Sequence, residues 1–433
     1  MLHTLWTFSV RIRIVKIVKK QTKSSTDKHK EETDLNPYFS LTDKVYNITE
    51  QYPELIEPLV EMGYESLKND ALRKLMGRSV SLEMALKTRH LDVEKTEQTL
   101  VDVIRRTREN PDALRVTGVL PCPIRIQLME KLNNWIEEHH ADVSCDLQAA
   151  SMGLDHIEEQ VKNSKSADDL ADIYLSAGFG LFFDRSLLGH YSDAGVFADL
   201  TGMEKLNSCF DNEHLQLKDP KHQYTILAGV PAVFMVNESV LDGREFPQSW
   251  SDLLSPEFEN SISMPVRDLD LFNALLLGIY SHYGEDGVRA LGRNLMSAMH
   301  PAEMVKTGTK AKKASSPAVT VMPYFFTLMN RENNTLTPVW PSDGAILSPI
   351  FLLSKASSSE RSQEFISYLA SKEMGEVFCA GGKFPSAHPD IDNGLSPEET
   401  FLWPGWDFIY SHDIGSLLKE TERMFFEASE ETK

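Results

Sequence analysis

Residues 114–180 read LRVTGVLPCPIRIQLMEKLNNWIEEHHADVSCDLQAASMGLDHIEEQVKNSKSADDLADIYLSAGFG. Three short runs rich in apolar residues alternate in this stretch with two longer amphipathic segments. The runs are 114–120, 141–151 and 171–180, and the amphipathic segments are 124–140 and 154–164. Strand, helix, strand, helix, strand is the pattern of βαβ units, which build a parallel sheet covered by helices. The stretch therefore predicts the α/β class.

A second set of elements follows Lys221. In order, we predict an extended run at 223–237, a short helix after Ser249, a strand at 261–266, helices at 271–284 and 285–299, a strand at 316–329, an extended run at 337–355 and an amphipathic helix at 361–382. The two long extended runs suit connections between lobes, so we predict two α/β lobes joined by two crossings.

The residues before this part of the chain predict a small all-α domain at 38–110. Ser81 and Asp92 are placed as helix N-caps, and Leu100, Val103 and Ile104 form one apolar stripe at helical spacing. This region has no cysteine and no acid–base pair, so we interpret it as a packing or interaction module. Residues 1–37 are predicted to be a disordered basic leader and linker.

The composition is that of a folded protein: 433 residues, 41% hydrophobic and 25% charged. A net charge of −20 argues against nucleic acid as a partner, because phosphates would be repelled. No uninterrupted apolar stretch approaches the roughly 18 residues of a spanning helix, so we expect a chain that does not cross the membrane.

The leader and the cysteines bear on localisation. Arg11, Arg13 and Lys16 interrupt the only apolar run of the leader, which does not match a secretory signal, and a membrane-surface segment stays open as an alternative. The four cysteines are widely spaced and form no Cys-x-x-Cys pair. Both features favour a cytoplasmic protein with reduced thiols.

Enzyme signatures are missing from the sequence. It has no dinucleotide-binding glycine motif, no phosphate loop, no nucleophile elbow and no His-Glu-x-x-His motif. Asp268 and Asp270 stand two residues apart at a predicted helix start, where capping is their expected role. We therefore predict a protein that is not an enzyme, with no catalytic residue, metal site or cofactor.

A ligand site is predicted from position alone. Ligands of open α/β sheets bind at the carboxyl ends of strands, where helix N-termini favour anions. The predicted ligand-binding residues are Cys122, Ser176, Gly178, Phe179, Arg267, Asp268, Tyr324 and Asp343. Arg267 is placed to clamp an anionic group, although a salt bridge with a neighbouring aspartate is the alternative. Structural roles stay open for Tyr324, as a buried aromatic, and for Cys122, as a small apolar residue.

Three segments carry a family resemblance. They are PQSWSDLLSPEFENSISMPV at 247–266, PAVTVMPYFF at 317–326 and WPSDGAILSPIFLLSKASSSERSQEFISYLASKEMGEVF at 340–378. In this order they resemble the type 2 periplasmic substrate-binding proteins of ABC transporters, in the branch that handles iron(III), thiamine and polyamines. The segment at 41–106 resembles a small bacterial domain of unknown function.

The resemblance implies a two-lobed domain at 111–433 that closes over a ligand. Lobe one would comprise about 113–228 and 352–433, lobe two about 229–351, with crossings near 229–236 and 338–352. It implies delivery of a small solute to an ABC permease outside the cytoplasmic membrane. Iron-binding relatives use adjacent tyrosines, whereas Phe325 follows Tyr324 here, so iron(III) is not the expected ligand.

Two other functions stay open. The same trap would serve a cytoplasmic sensor or adaptor that signals through the helical domain. An enzyme on this scaffold, using Cys122 or Tyr324, would need an activating base that the sequence does not place.

Overall fold

The computed structural model describes residues 36, 38–89, 91–108, 113–150, 153–266, 269–298, 316–328, 335–358, 360–381 and 384–431. The predicted leader falls almost wholly outside these residues. The first helices are α1 (Val45–Gln51), α2 (Ile56–Glu61), α3 (Asp70–Gly77), α4 (Leu82–Thr88) and α5 (Val93–Arg108).

This helical segment has a hydrophobic core of its own. The side chains of Leu55, Leu82, Leu100 and Ile104 are fully buried, in a cluster drawn only from residues 38–104. The predicted N-caps are confirmed: the Ser81 hydroxyl accepts a hydrogen bond from the Met84 backbone N–H, and Asp92 accepts one from Lys95.

The βαβ pattern of residues 114–180 is confirmed. Its elements are β1 (Leu114–Leu120), α6 (Cys122–Glu138), β2 (Val143–Ala149), α7 (Asp155–Asn163) and β3 (Ile173–Ala177), and the short helices α8 (Gly180–Phe183) and α9 (Leu188–Asp193) follow. β1 pairs in parallel with both β2 and β3.

The second set runs from β4 to β9. Its elements are β4 (Tyr224–Asn237), α10 (Trp250–Leu253), β5 (Ile262–Met264), α11 (Leu269–Arg293), β6 (Leu295–Ala298), β7 (Val319–Pro323), α12 (Tyr324–Thr327), β8 (Leu336–Val339) and β9 (Ala345–Ser354). β5 pairs in parallel with β6 and with β7.

Two predictions for this part were wrong in their bounds. The helix predicted at 285–299 ends at Arg293, and residues 295–298 form β6 instead. The strand predicted at 316–329 ends at Pro323, whose ring supplies no N–H to the ladder and leads into α12.

The strands form one sheet in the order β2-β1-β3-β9-β4-β7-β5-β6, with β10 beside β9 and β8 beside β4. The sheet as a whole is mixed, because β4 and β9 run antiparallel to each other and to their neighbours β7 and β3, a feature that the sequence did not predict. Two long antiparallel strands therefore lie between two groups of parallel strands.

The last elements are α13 (Glu360–Leu369), α14 (Lys372–Glu376), a π-helical turn (Val377–Gly381), β10 (Phe401–Leu402), α15 (Trp406–Ser411) and α16 (Ile414–Glu431). No helix or strand was predicted beyond residue 382. α16 packs along α11, where the rings of Phe272 and Phe425 meet edge to face at 5.1 Å between centroids.

Candidate functional site

The strand register brings the carboxyl ends of β3 and β7 to face each other. β3 ends level with Ala228 of β4, because Ala177 and Ala228 both pair with Ile350 of β9. β7 ends level with Ala232 of β4, which pairs with Pro323. The two strands run in opposite directions, so their carboxyl ends point toward each other. Measured along β4, three residues separate the two ends, a distance of about 13 Å.

The carboxyl ends of β1 and β5 lie beside those of β3 and β7, respectively. β1 lies parallel to β3, with Thr117 opposite Tyr174, and its chain continues through Pro121 into α6. β5 lies parallel to β7, with Ser263 opposite Thr320. The four strand ends that were selected from the sequence therefore border one line across the sheet, β1 and β3 on one side of it and β7 and β5 on the other.

The first turn of α11 reaches across this line. Gly178, which follows β3 with a φ of +98°, lies against the carboxylate of Asp270. The Ser348 hydroxyl of β9 donates a hydrogen bond to the Asp270 backbone carbonyl at 3.4 Å. Gly180 lies 3.9 Å, measured from the position of an added Cβ, from the amide nitrogen of half-buried Asn273. α11, which follows β5 of one parallel group, thus contacts the loop that follows β3 of the other group.

Ser176 and Phe179 lie close to Gly178 in sequence but inside the protein. The Ser176 side chain is fully buried, and its hydroxyl donates to the adjacent Ala177 carbonyl. The fully buried Phe179 ring stacks on Trp403 at 5.5 Å and meets Phe351 edge to face at 5.9 Å. Both side chains therefore pack in the protein interior.

Tyr324 begins α12 at the end of β7 and is half-buried. Its ring meets Trp340 edge to face at 5.2 Å, and the Trp340 indole donates to the Thr400 carbonyl at 2.7 Å. Burial, and secondly the nearby charge of Glu399, raise the pKa of the Tyr324 phenol. The phenol therefore stays protonated at neutral pH as a hydrogen-bond donor.

Asp343 has structural contacts. Its carboxylate accepts hydrogen bonds from the Trp250 backbone N–H at 2.9 and 3.0 Å and from the Tyr283 hydroxyl at 2.6 Å. It also accepts a longer bond from the Ser251 N–H. These bonds hold the N-terminus of α10, where carboxylates are stabilising.

The remaining predicted site residues have no described side chains. Arg267 and Asp268 lie outside the described residues, and only the backbone of Cys122, at the start of α6, is described. In the described part of the chain, no group of three or more His, Cys, Asp or Glu side chains is placed to hold a metal ion. None of the helices that the structure describes has the length and apolarity needed to span a bilayer.

Three residues that the structure places in this region were not selected from the sequence: Asp270, Asn273 and Trp340. Asp270 and Asn273 share one face of α11 at i and i+3, next to a strand end, and this spacing was a usable signal. Trp340 had no such signal, because it meets Tyr324 only through the fold.

Two family models match the chain. Residues 168–412, more than half of the chain, match the model described as a bacterial extracellular solute-binding protein. Residues 39–95 match a domain of unknown function, DUF1858.

The chain is also similar to a curated protein, the spermidine/putrescine-binding periplasmic protein 1 of Haemophilus influenzae. They are 22% identical over 229 residues, which is 48% of this chain and 62% of the relative. The chain thus spans less than two thirds of the length of the relative that it matches.

Solved structures share the fold. The ferric binding protein from Campylobacter jejuni superposes with a TM-score of 0.51 at 14% identity, covering 73% of this chain and 99% of that protein. The periplasmic binding protein AfuA from Actinobacillus pleuropneumoniae, with fructose-6-phosphate bound, gives a TM-score of 0.52 at 14% identity, covering 72% and 98%. An ABC transporter protein from Clostridium perfringens gives 0.51 at 17% identity, covering 73% and 99%.

Proposed function

The chain belongs to the bacterial extracellular solute-binding proteins, and from this premise we propose that it binds a small solute between the facing strand ends and delivers it to an ABC permease. The solute leaves unchanged, so the protein is not an enzyme. The proposed place of action is outside the cytoplasmic membrane, where the family works.

The observation that carries this proposal is the opposition of the β3 and β7 ends across β4 and β9. Among the described residues, the long strands β4 and β9 and the α11 contact connect the two parallel groups at this place. Closure requires a small rotation about two extended segments, which is how hinged binding proteins enclose a ligand. The proposed hinges are 229–236 and 338–352.

We propose that the solute contacts the loop at Gly178, the first turn of α11 and the Tyr324 phenol. Backbone N–H groups at the start of α11, a helix of 25 residues, favour an anionic group. Arg267, two residues before this helix, would add a bidentate clamp. An oxyanion or organic anion is therefore the first candidate ligand.

A cationic amine is the second candidate, because one observation favours it. The Asp270 carboxylate already lies at this helix end against Gly178, where it would repel an anion and attract an ammonium group. The half-buried rings of Tyr324 and Trp340 suit a cation as well. The curated relative is named for spermidine and putrescine.

Titration calorimetry with the full chain separates the two candidates. The probes are citrate and fructose-6-phosphate as anions and putrescine and spermidine as cations. For an anion, Arg267→Ala should weaken binding by about 1.5–3 kcal/mol, whereas Asp270→Asn should leave it equal or stronger. For an amine, Asp270→Asn should weaken binding by about 1.5–3 kcal/mol, whereas Arg267→Ala should leave it equal or stronger. Arg423→Ala is the matched control, since Arg423 pairs with Glu427 on the surface of α16.

Under the sensor or adaptor hypothesis the titrations give the same result, and the difference lies in a protein partner. Binding would then persist, but the helical segment would recruit a protein partner when the solute is present. If no probe binds and neither variant changes any titration, the proposed site is wrong.

A further inference from the structure

Two cysteines that are distant in sequence lie on either side of one turn. The Asn393 side-chain amide donates a hydrogen bond to Cys209 Sγ at 3.3 Å. The Cys379 thiol donates to the Asp392 carbonyl at 3.6 Å. Because Asp392 and Asn393 are consecutive, the fold places the two sulfur atoms against adjacent residues of the chain. Both cysteines are half-buried and neither is in a disulfide in this structure.

The turn that holds the two thiols is fixed in place. The Asn207 amide donates to the His388 carbonyl at 3.2 Å and to the Ile391 carbonyl at 2.7 Å. Asn393 exchanges two hydrogen bonds with the Ser386 backbone, at 2.7 and 2.9 Å. Both thiols therefore contact a segment of the chain that hydrogen bonds hold in place.

The backbone around Cys379 has an uncommon geometry. Cys379 is the central residue of the π-helical turn Val377–Gly381. Such turns are rare and occur frequently at functional sites. This turn directs the thiol toward the Asp392 carbonyl of the turn that also carries the Cys209 contact.

We propose that Cys209 and Cys379 are a redox-active pair that forms an intramolecular disulfide with a small-molecule disulfide, such as oxidised glutathione, as the oxidant. The Cys379 thiol loses its proton to solvent, and the thiolate attacks the oxidant, which breaks the S–S bond and releases one thiolate. Cys209 then attacks the mixed disulfide and releases the second. Cys209 also gives up its proton, so the protein loses two protons and two electrons in all, and one oxidant molecule takes them up to become two thiol molecules.

The order of attack follows from the surroundings of the two thiols. Burial raises the pKa of the Cys209 thiol to about 11, so little of it is thiolate at neutral pH. Cys209 therefore suits the second step, in which the bound mixed disulfide holds its target sulfur close by.

Cys209 precedes β4 and Cys379 follows β9 in the chain, so the crosslink ties together two segments that lie outside the crossing strands in sequence. We expect it to raise the unfolding temperature by about 5 °C and to leave solute binding unchanged. The proposal therefore stands or falls independently of the proposed function.

Peptide mapping of the full chain tests it directly. The protein is incubated with oxidised and reduced glutathione at pH 8, alkylated and digested with trypsin without reduction. Cys209 and Cys379 fall in separate peptides with one cysteine each, LNSCFDNEHLQLK (206–218) and EMGEVFCAGGK (373–383). The expected product is these two peptides joined, with a loss of about 2 Da relative to their sum.

Two variants complete the test. Cys379→Ser should abolish the joined peptide, and the matched control Cys145→Ser, which removes a buried thiol of β2, should not. Persistent glutathione adducts without the joined peptide in the wild-type chain would overturn the proposal. Joined peptides that pair Cys209 or Cys379 with other cysteines in equal yield would also overturn it.

Discussion

Gly178 lies against the carboxylate of Asp270, and this contact joins the end of β3 to the first turn of α11. The two residues are far apart in the chain and come from the two groups of parallel strands that β4 and β9 separate. An added Cβ at Gly178 would overlap the Asp270 side chain, so the approach depends on glycine.

Gly178→Ala should damage both stability and solute binding. The left-handed φ of +98° penalises alanine, and the methyl group would displace Asp270. We expect the free energy of unfolding to fall by about 2–4 kcal/mol. The control is Gly195→Ala, where φ is +72° and no atom lies within 4 Å of the added Cβ; the loss there should be only about 1–2 kcal/mol. Urea unfolding that gives equal losses for both variants would contradict the contact.

Asp343→Asn should destabilise the fold without changing solute affinity. The substitution removes the charge that holds the α10 N-terminus and weakens the bond from Tyr283. We expect a loss of about 1–3 kcal/mol in urea unfolding, with Ser342→Ala, at the exposed neighbour, as the control. A double-mutant cycle with Tyr283→Phe should give a coupling of about 1 kcal/mol. Loss of solute binding in a stable Asp343→Asn variant would return Asp343 to the site.

Stability should fall steeply at alkaline pH. Burial raises the pKa of Tyr224, whose hydroxyl donates to Ser192 at 2.6 Å. The Tyr224 phenol is neutral in the folded and in the unfolded chain below about pH 10. As the pH rises above 10, the phenol ionises in the unfolded chain before it ionises in the folded chain. The contribution of the neutral phenol to the free energy of unfolding is therefore complete below pH 10. Above pH 10 it is lost by about 1.4 kcal/mol per pH unit. Tyr224→Phe should flatten this slope in urea unfolding between pH 9 and 11, and the half-buried control Tyr280→Phe should not.

A chain that begins at Ala113 should fold and bind the same solute. The helical segment has a separate core, built around Leu55, Leu82 and Ile104, so its removal leaves the sheet intact. We expect solute affinity within about twofold of the full chain by calorimetry. A well-folded truncation that no longer binds would contradict this independence and show that the helical segment takes part in the site.

Local patterns in the sequence predicted most elements. The alternation within 114–180 and the caps at Ser81 and Asp92 depend on neighbours a few residues away, and the structure confirms them. The direction of β4 and β9 has no local signature, because their pairing joins residues such as Ala228 and Ile350. For this reason the antiparallel centre of the sheet was not predicted.

The site shows the same division. The ends of β3 and β7 were selected from the sequence, and the register brings them to face each other. The contacts of individual side chains were not predicted, because they depend on residues distant in the chain. Asp343 is held by Trp250 and Tyr283, which are 93 and 60 residues away, and Phe179 is covered by Trp403. Such partners decide whether a side chain is buried or faces a ligand. The spacing of residues along the sequence does not predict these contacts.

The most direct test of solute binding is native mass spectrometry of the full chain, purified gently and then exposed to the anionic and cationic probes. The account predicts one small molecule bound per chain, either retained from the cell or taken up from one probe class, and its loss in the Gly178→Ala variant but not in Gly195→Ala. A chain that carries no small molecule and takes up none of the probes would contradict it.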